Sequence, residues 1–208
     1  DLSEDFSDEI TRILLKLISL QKEDIIVSIY PFWWYFEKHL FMDSSSDSYC
    51  IISNIAVYCY PSGFPIIKQA TSILVNRIRH TVPGTRQSIC YAIGGIASNY
   101  PDYFHQYLDK AIPELCSIIM DKDSRSNEDN SYATDNAVLA LGKIILSYSQ
   151  TMDVKETLKI YLAGLPVSHD EFINVYNQII NLIKNKDIQN NLVTSPKDFK
   201  HLKSSLQE

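Results

Sequence analysis

Three short polar runs hold most of the chemistry that this chain could perform: Arg86-Gln87-Ser88, Thr134-Asp135-Asn136 and His169-Asp170-Glu171. A histidine beside an aspartate, as at 169 and 170, is raw material for general acid–base catalysis, because imidazole titrates near neutrality and a carboxylate can orient it. The pair is as readily a turn or helix cap, and His39, His80, His105 and His201 are scattered with no nucleophile at a motif spacing. The sequence contains no G-x-G-x-x-G, P-loop, H-E-x-x-H or G-x-S-x-G, so no dinucleotide, triphosphate, zinc-protease or acyl-transfer site is written locally. Cys50, Cys59, Cys90 and Cys116 form no C-x-x-C pair and have no histidine at zinc spacing, and they read as small buried hydrophobes. On one helix Cys50 and Cys59 would face opposite ways and could not bridge, so a reducing compartment is the simplest inference. No cofactor or metal is implied, and a non-enzymatic role is favoured over an all-α enzyme.

The three runs must be positioned by something, and composition says by helices around a substantial core. The chain has 208 residues, 45% of them hydrophobic and 21% charged, with only 6 glycines, which excludes a disordered or collagen-like chain. A net charge of -6 with no basic run argues against nucleic acid and for a basic partner. Ser48 to Ile67 is uncharged over 20 residues, but Pro61-Ser62-Gly63-Phe64-Pro65 interrupts it, so a membrane span is rejected. The chain opens at Asp1 with neither Met nor a signal-peptide pattern and reads as a piece of something longer.

Apolar residues fall at Ala137, Ala140, Leu141, Ile144 and Ile145, one face of a helix. The same offsets recur at Ile52, Ile55, Ala56, Cys59, Tyr60; at Ile89, Ala92, Ile93, Ile96, Ala97; and at Phe172, Val175, Tyr176, Ile179, Ile180. The copies start 37, 48 and 35 residues apart, and the long interval contains the polar run 121–130, which reads as a loop insertion. The remaining period suits helical-pair repeats. First helices of the pairs are expected at 25–40, 64–80, 102–120 and 154–165, with an extra helix at 6–22, a last loop at 185–191 and a partial helix at 196–206. Pro31 and Pro113 fall inside two of these, where kinks are expected.

Period-2 alternation is absent, so the expected class is all-α, an α-solenoid of HEAT-type antiparallel helix pairs. It forms one array over 1–208, with repeats at 24–62, 63–100, 101–150 and 153–187. Aligning the stripes brings Arg86-Gln87-Ser88, Thr134-Asp135-Asn136 and His169-Asp170-Glu171 into equivalent positions, the rungs of a polar ladder about 10 Å apart. Residues Arg86, Gln87, Thr134, Asp135, Asn136, His169, Asp170 and Glu171 are therefore the candidate partner-facing set. The plain alternative is that the carboxylates merely suit a helix N-terminus, with Ser131 or Thr134 as cap. The block Phe32-Trp33-Trp34-Tyr35-Phe36 is aromatic all round; it packs on a further repeat or lines a groove for aromatic side chains.

Ala133-Thr134-Asp135-Asn136-Ala137 followed by Ala140-Leu141-Gly142-Lys143-Ile144 resembles the "ATENA...A-G-K-I" segment of the importin-beta-three (Ran-binding protein five) type within the karyopherin-beta superfamily of nuclear transport receptors. Leu162-Ala163-Gly164-Leu165-Pro166-Val167 with Asp170-Glu171 is similar to that family's "WLSWLPLHED", and Val175-Tyr176-Asn177 to Leu182-Ile183 resembles the helix after it. Arg86-Gln87 to Gly94-Gly95-Ile96-Ala97, then Ile112-Pro113-Glu114-Leu115, resembles "VRQAAAYGLGVMA" and "ALPLLV". The resemblance covers roughly Phe64 to Lys186. It implies a C-terminal receptor fragment with no cofactor that wraps cargo proteins bearing basic import signals. Ran GTPase would bind mainly through more N-terminal repeats, Phe-Gly nucleoporins would meet the outer side, and the receptor would shuttle between cytoplasm and nucleus. The second helix of each pair would face inward, putting the Arg86, Asp135 and Asp170 rungs on the cargo side. The periodicity alone equally suits a HEAT scaffold of another assembly, such as a phosphatase regulatory subunit or an adaptor.

Overall fold

A computed structural model describes residues 46–165, 167, 172–186 and 188, together with Ile13 and Lys16, which are helical. The remainder of the expected 6–22 helix, the 25–40 helix with Pro31 and the aromatic block, His169-Asp170-Glu171 and the 196–206 helix lie outside the described residues.

Among the described residues the regular structure is all helical. Helices α1 (Ser46–Tyr58), α2 (Phe64–Asn76) and α3 (Pro83–Asn99) are followed by a short α4 (Pro101–Phe104), a 3-10 turn (His105–Tyr107) and α5 (Leu108–Ile119). Then come α6 (Glu128–Tyr148), α7 (Lys155–Ala163) and α8 (Phe172–Lys184). The starts of α2 and α3 are set by proline in the first helical turn, where the missing N–H has no intrahelical bond to lose. Asn127 caps α6, its side-chain oxygen accepting from the Asn130 N–H at 2.9 Å.

Two layers result. α3 lies between α1 and α6, and α8 packs on the far side of α6. α2 packs on α1 and α3, while α5 and α7 pack on α6 and on each other. Close approach within the first layer depends on Gly94 and Gly95: a Cβ on Gly94 would stand 3.0 Å from the Ala140 Cα, and one on Gly95 would stand 2.7 Å from a Val57 methyl. Helix ends are tied to neighbouring elements by side chains. Asn99 at the end of α3 donates to the Ala56 carbonyl at 2.9 Å, satisfying an acceptor that the end of α1 leaves open, and the Tyr148 hydroxyl donates to the Pro101 carbonyl at 2.7 Å.

The stripes of α3 and α6 are buried as the spacing predicts, including Ile89, Ile93, Ala97, Ala137, Leu141 and Ile145. Several expectations are corrected. The expected insertion 121–130 is shorter, because α6 already begins at Glu128; Asn127 is the cap, in place of Ser131 or Thr134. The expected 102–120 helix is divided at His105–Tyr107, with Pro113 inside its second part. In α8 the buried side is Val175, Gln178, Ile179 and Leu182, while Tyr176 is exposed; a glutamine that satisfies its amide internally replaces a tyrosine on the stripe. Tyr60, read as the last stripe residue of its helix, lies beyond α1 and is 59% exposed. Within the expected last loop, Lys186 and Ile188 are helical and Ile188 is buried. No helix among the described residues is long and apolar enough to cross a membrane.

Burial of thiols and phenols makes this fold sensitive to alkali. Loss of water pushes Cys59 up to about 11 and Cys90 to about 12 from an ordinary 9.0, although Arg86 partly opposes the shift at Cys90. The same cause, with Cys59 and Tyr60 adding to it, raises Tyr100 to about 12 from 10.0, and Tyr148 and Tyr161 are also raised. Folding keeps the neutral forms, so stability is full below pH 9.0 and falls as the unfolded chain ionises ahead of the folded one, up to pH about 12. Urea midpoints should therefore hold from pH 7 to 8.5 and drop steadily above about pH 9. A midpoint that stays level to pH 11 would contradict this burial.

Candidate functional site

A polar cleft lies where the start of α3 faces the 121–130 segment, with a volume of about 210 Å³. Arg79, His80 and Arg86 face Asp121, Asp123 and Asn130 across it. Arg86 Nη1 donates to the His80 carbonyl at 2.6 Å and to the Thr81 carbonyl at 3.4 Å, and Nη2 donates to Asn130 Oδ1 at 2.6 Å. Asp121 Oδ1 accepts from the Asp123 N–H at 2.8 Å, and Arg79 lies 3.9 Å from a Glu114 oxygen. Both signs of charge meet here, with no nucleophile–base pair among the contacts.

Of the predicted rungs, Arg86 and Gln87 are half-buried at the start of α3. Thr134, Asp135 and Asn136 are not on a surface: they are 1%, 0% and 2% exposed. The physical reason is the early start of α6, which puts them in its second and third turns, within a stretch from Ala133 to Gly142 that is covered by flanking helices and by the 121–127 segment. Each polar group is used internally. Thr134 Oγ1 donates within 2.8 Å of the Ser124 carbonyl and 2.9 Å of the Asn130 carbonyl, and Asn136 Nδ2 donates to the Tyr132 carbonyl at 3.1 Å. Asp135 Oδ1 lies 2.7 Å from Arg125 Nη2. We read the contact as ionic, because the same nitrogen aims an N–H at the Gly164 carbonyl, 2.9 Å away. Thr134 and Asp135 thus form a latch that holds the Ser124-Arg125 turn down on α6 and, through Arg125, ties it to the end of α7.

A second buried node lies one turn further along. Gln178 Nε2 donates to the Leu139 carbonyl at 2.8 Å, and the Tyr161 hydroxyl is 3.5 Å from Gln178 Oε1. Gly142 leaves room for both, since a Cβ there would overlap Gln178 Oε1 and stand 2.8 Å from a Tyr161 ring carbon.

The layer of α1, α3 and α6 presents a different row from the predicted ladder. Tyr58 is exposed and its hydroxyl is 3.3 Å from that of Tyr91, while Lys143 Nζ stands 5.4 Å from the centre of the Tyr91 ring, within cation–π range. Relative to the stripe starts Ile52, Ile89 and Ala137, these residues sit at offsets 6, 2 and 6, one turn apart on one flank, so the same alignment that proposed the ladder held this signal. A second cleft of about 490 Å³ between His105, Asp109, Ile112 and Met152 gathers no comparable charge.

No known protein-family model matches the chain.

Proposed function

We propose that the chain is a protein-binding scaffold of HEAT-type helix pairs from a karyopherin-beta nuclear import receptor of the importin-beta-three type, acting by binding alone. The observation that carries this reading is the side-by-side succession of α1, α3, α6 and α8 with α2, α5 and α7 behind, since such stacking leaves one long helical face free to contact an extended partner. The segments resembling that receptor type favour import over a phosphatase regulatory subunit or another adaptor. The cargo contact moves from Thr134, Asp135 and Asn136 to the exposed Asp121, Asp123, Glu128 and Asp129, beside half-buried Arg86 and Gln87. Exposed carboxylates suit a basic import signal. Ran-GTP and Phe-Gly nucleoporins complete the set of partners, with cytoplasm and nucleus as the shared location.

Fluorescence anisotropy of a labelled basic import-signal peptide, at fixed ionic strength, tests the cargo surface. Changing Asp121, Asp123 and Asp129 to Asn and Glu128 to Gln should weaken binding by about tenfold, as expected for loss of several complementary charges. Equal affinities for wild type and variant would count against it. In a pull-down with the full-length parent receptor, cargo release on adding Ran-GTP separates an importer from a HEAT scaffold of another assembly.

A further inference from the structure

The 121–127 turn holds a serine wired to the opposite wall of the cleft. Ser126 is exposed, and its Oγ accepts from Asn130 Nδ2 at 3.0 Å; the other end of that amide, Oδ1, accepts from Arg86 Nη2 at 2.6 Å. The remaining bonds of Arg86 go to backbone carbonyls, and among the described residues no carboxylate pairs with it. A guanidinium clamped by neutral acceptors, with one acceptor an exchangeable side-chain amide, is ready for a stronger anionic acceptor. Two and three residues beyond Ser126 stand Glu128 and Asp129, both exposed. Ser124 in the same turn has Asn127 three residues on, and its carbonyl is held by Thr134.

We propose that Ser126 is a phosphorylation site for a protein kinase that selects acidic residues downstream, and that Arg86 receives the phosphate, fastening the start of α6 to the start of α3. The kinase moves the γ-phosphoryl group of a nucleoside triphosphate onto Ser126. The Oγ–P bond forms, the bond from phosphorus to the β–γ bridging oxygen breaks, the hydroxyl proton passes to the kinase base and the diphosphate leaves. The new group carries about -1.5 to -2 charge. Asp121, Asp123, Glu128 and Asp129 oppose it, while Arg86 and Arg79 attract it from across the cleft. Arg86 is joined to Ser126 by the Asn130 relay, and two parallel N–H donors to phosphate outweigh its single bond to a neutral amide. This inference does not depend on the scaffold reading.

Two measurements on the whole chain test it. Incubation with a casein-kinase-type enzyme and magnesium ATP, read by peptide mass spectrometry, should place phosphate on Ser126. With phosphoserine genetically encoded at 126, the phosphorus NMR titration should show a second pKa about half a unit lower than in the same chain carrying Arg86→Gln. Arg86→Lys, which keeps the charge and loses the fork, should fall between and guards against a folding defect in the glutamine variant. Absence of phosphate on Ser126 after prolonged reaction, or identical titrations with Arg, Lys and Gln at 86, would overturn the proposal.

Discussion

Asp135→Lys should leave the chain unfolded at room temperature, as read by loss of the cooperative urea transition. Asp135 is fully buried and already holds Arg125 against it, so the substitution replaces an attractive pair by two cations, the new one shut away from water. Removing one partner of a buried pair costs about 3–5 kcal/mol, and a whole domain is stable by only about 5–15 kcal/mol. Asp135→Asn keeps shape and loses charge; it should cost about 1–2 kcal/mol and leave the chain folded. Arg125 is 37% exposed, so water partly compensates its half of the contact, and Arg125→Ala should cost about 1–3 kcal/mol through the carboxylate left behind. Had Asp135 faced a partner, the lysine variant would fold normally and lose only affinity.

Gly142→Leu is expected to be nearly as damaging, and for the opposite physical reason. No charge is involved; there is no space. Even Gly142→Ala forces Gln178 from the Leu139 carbonyl and presses on Tyr161. Alanine gains about 1 kcal/mol of helix propensity, against about 1–3 kcal/mol for a buried polar group losing its partner and about 1–3 kcal/mol for overpacking. Thermal melts should therefore show a net loss for alanine and a larger one for leucine. Adding Gln178→Ala to Gly142→Ala should recover part of the loss, since it removes the nearest obstacle. Gly84→Ala is the control: nothing lies within 4 Å of its added Cβ, and it should be neutral or slightly stabilising. Equal melts for Gly142→Ala and Gly84→Ala would contradict the packing of α6 against α7 and α8.

The stripes of α3 and α6 were legible in the sequence because every apolar position there coincides with the buried side, and Pro83, Pro65 and Gly94-Gly95 mark helix starts and a close contact by known mechanisms. The latch was not legible. Counting the polar residues 121–130 as insertion delayed the start of α6, and Glu128, Asp129 and Asn130 are as polar inside a first helical turn as in a loop. With the start misplaced, Thr134-Asp135-Asn136 looked like an exposed edge. Burial of such residues depends on Arg125, only ten residues earlier in the chain, reaching back to pair with Asp135 and to meet Gly164, a tertiary coincidence that no local pattern encodes. Gln178 escaped for a related reason, as an amide counts as polar until its partner carbonyl is known. The row of Tyr58, Tyr91 and Lys143 was within reach, because its members share one flank of aligned helices.

A double-mutant cycle between Arg125 and Asp135, measured by urea unfolding of wild type, Arg125→Ala, Asp135→Asn and the double variant, tests the internal latch most directly. A favourable coupling of about 1–3 kcal/mol is expected. Additive effects, with Asp135→Asn as stable as wild type, would show that Asp135 does not hold the 121–127 turn and would return it to the surface.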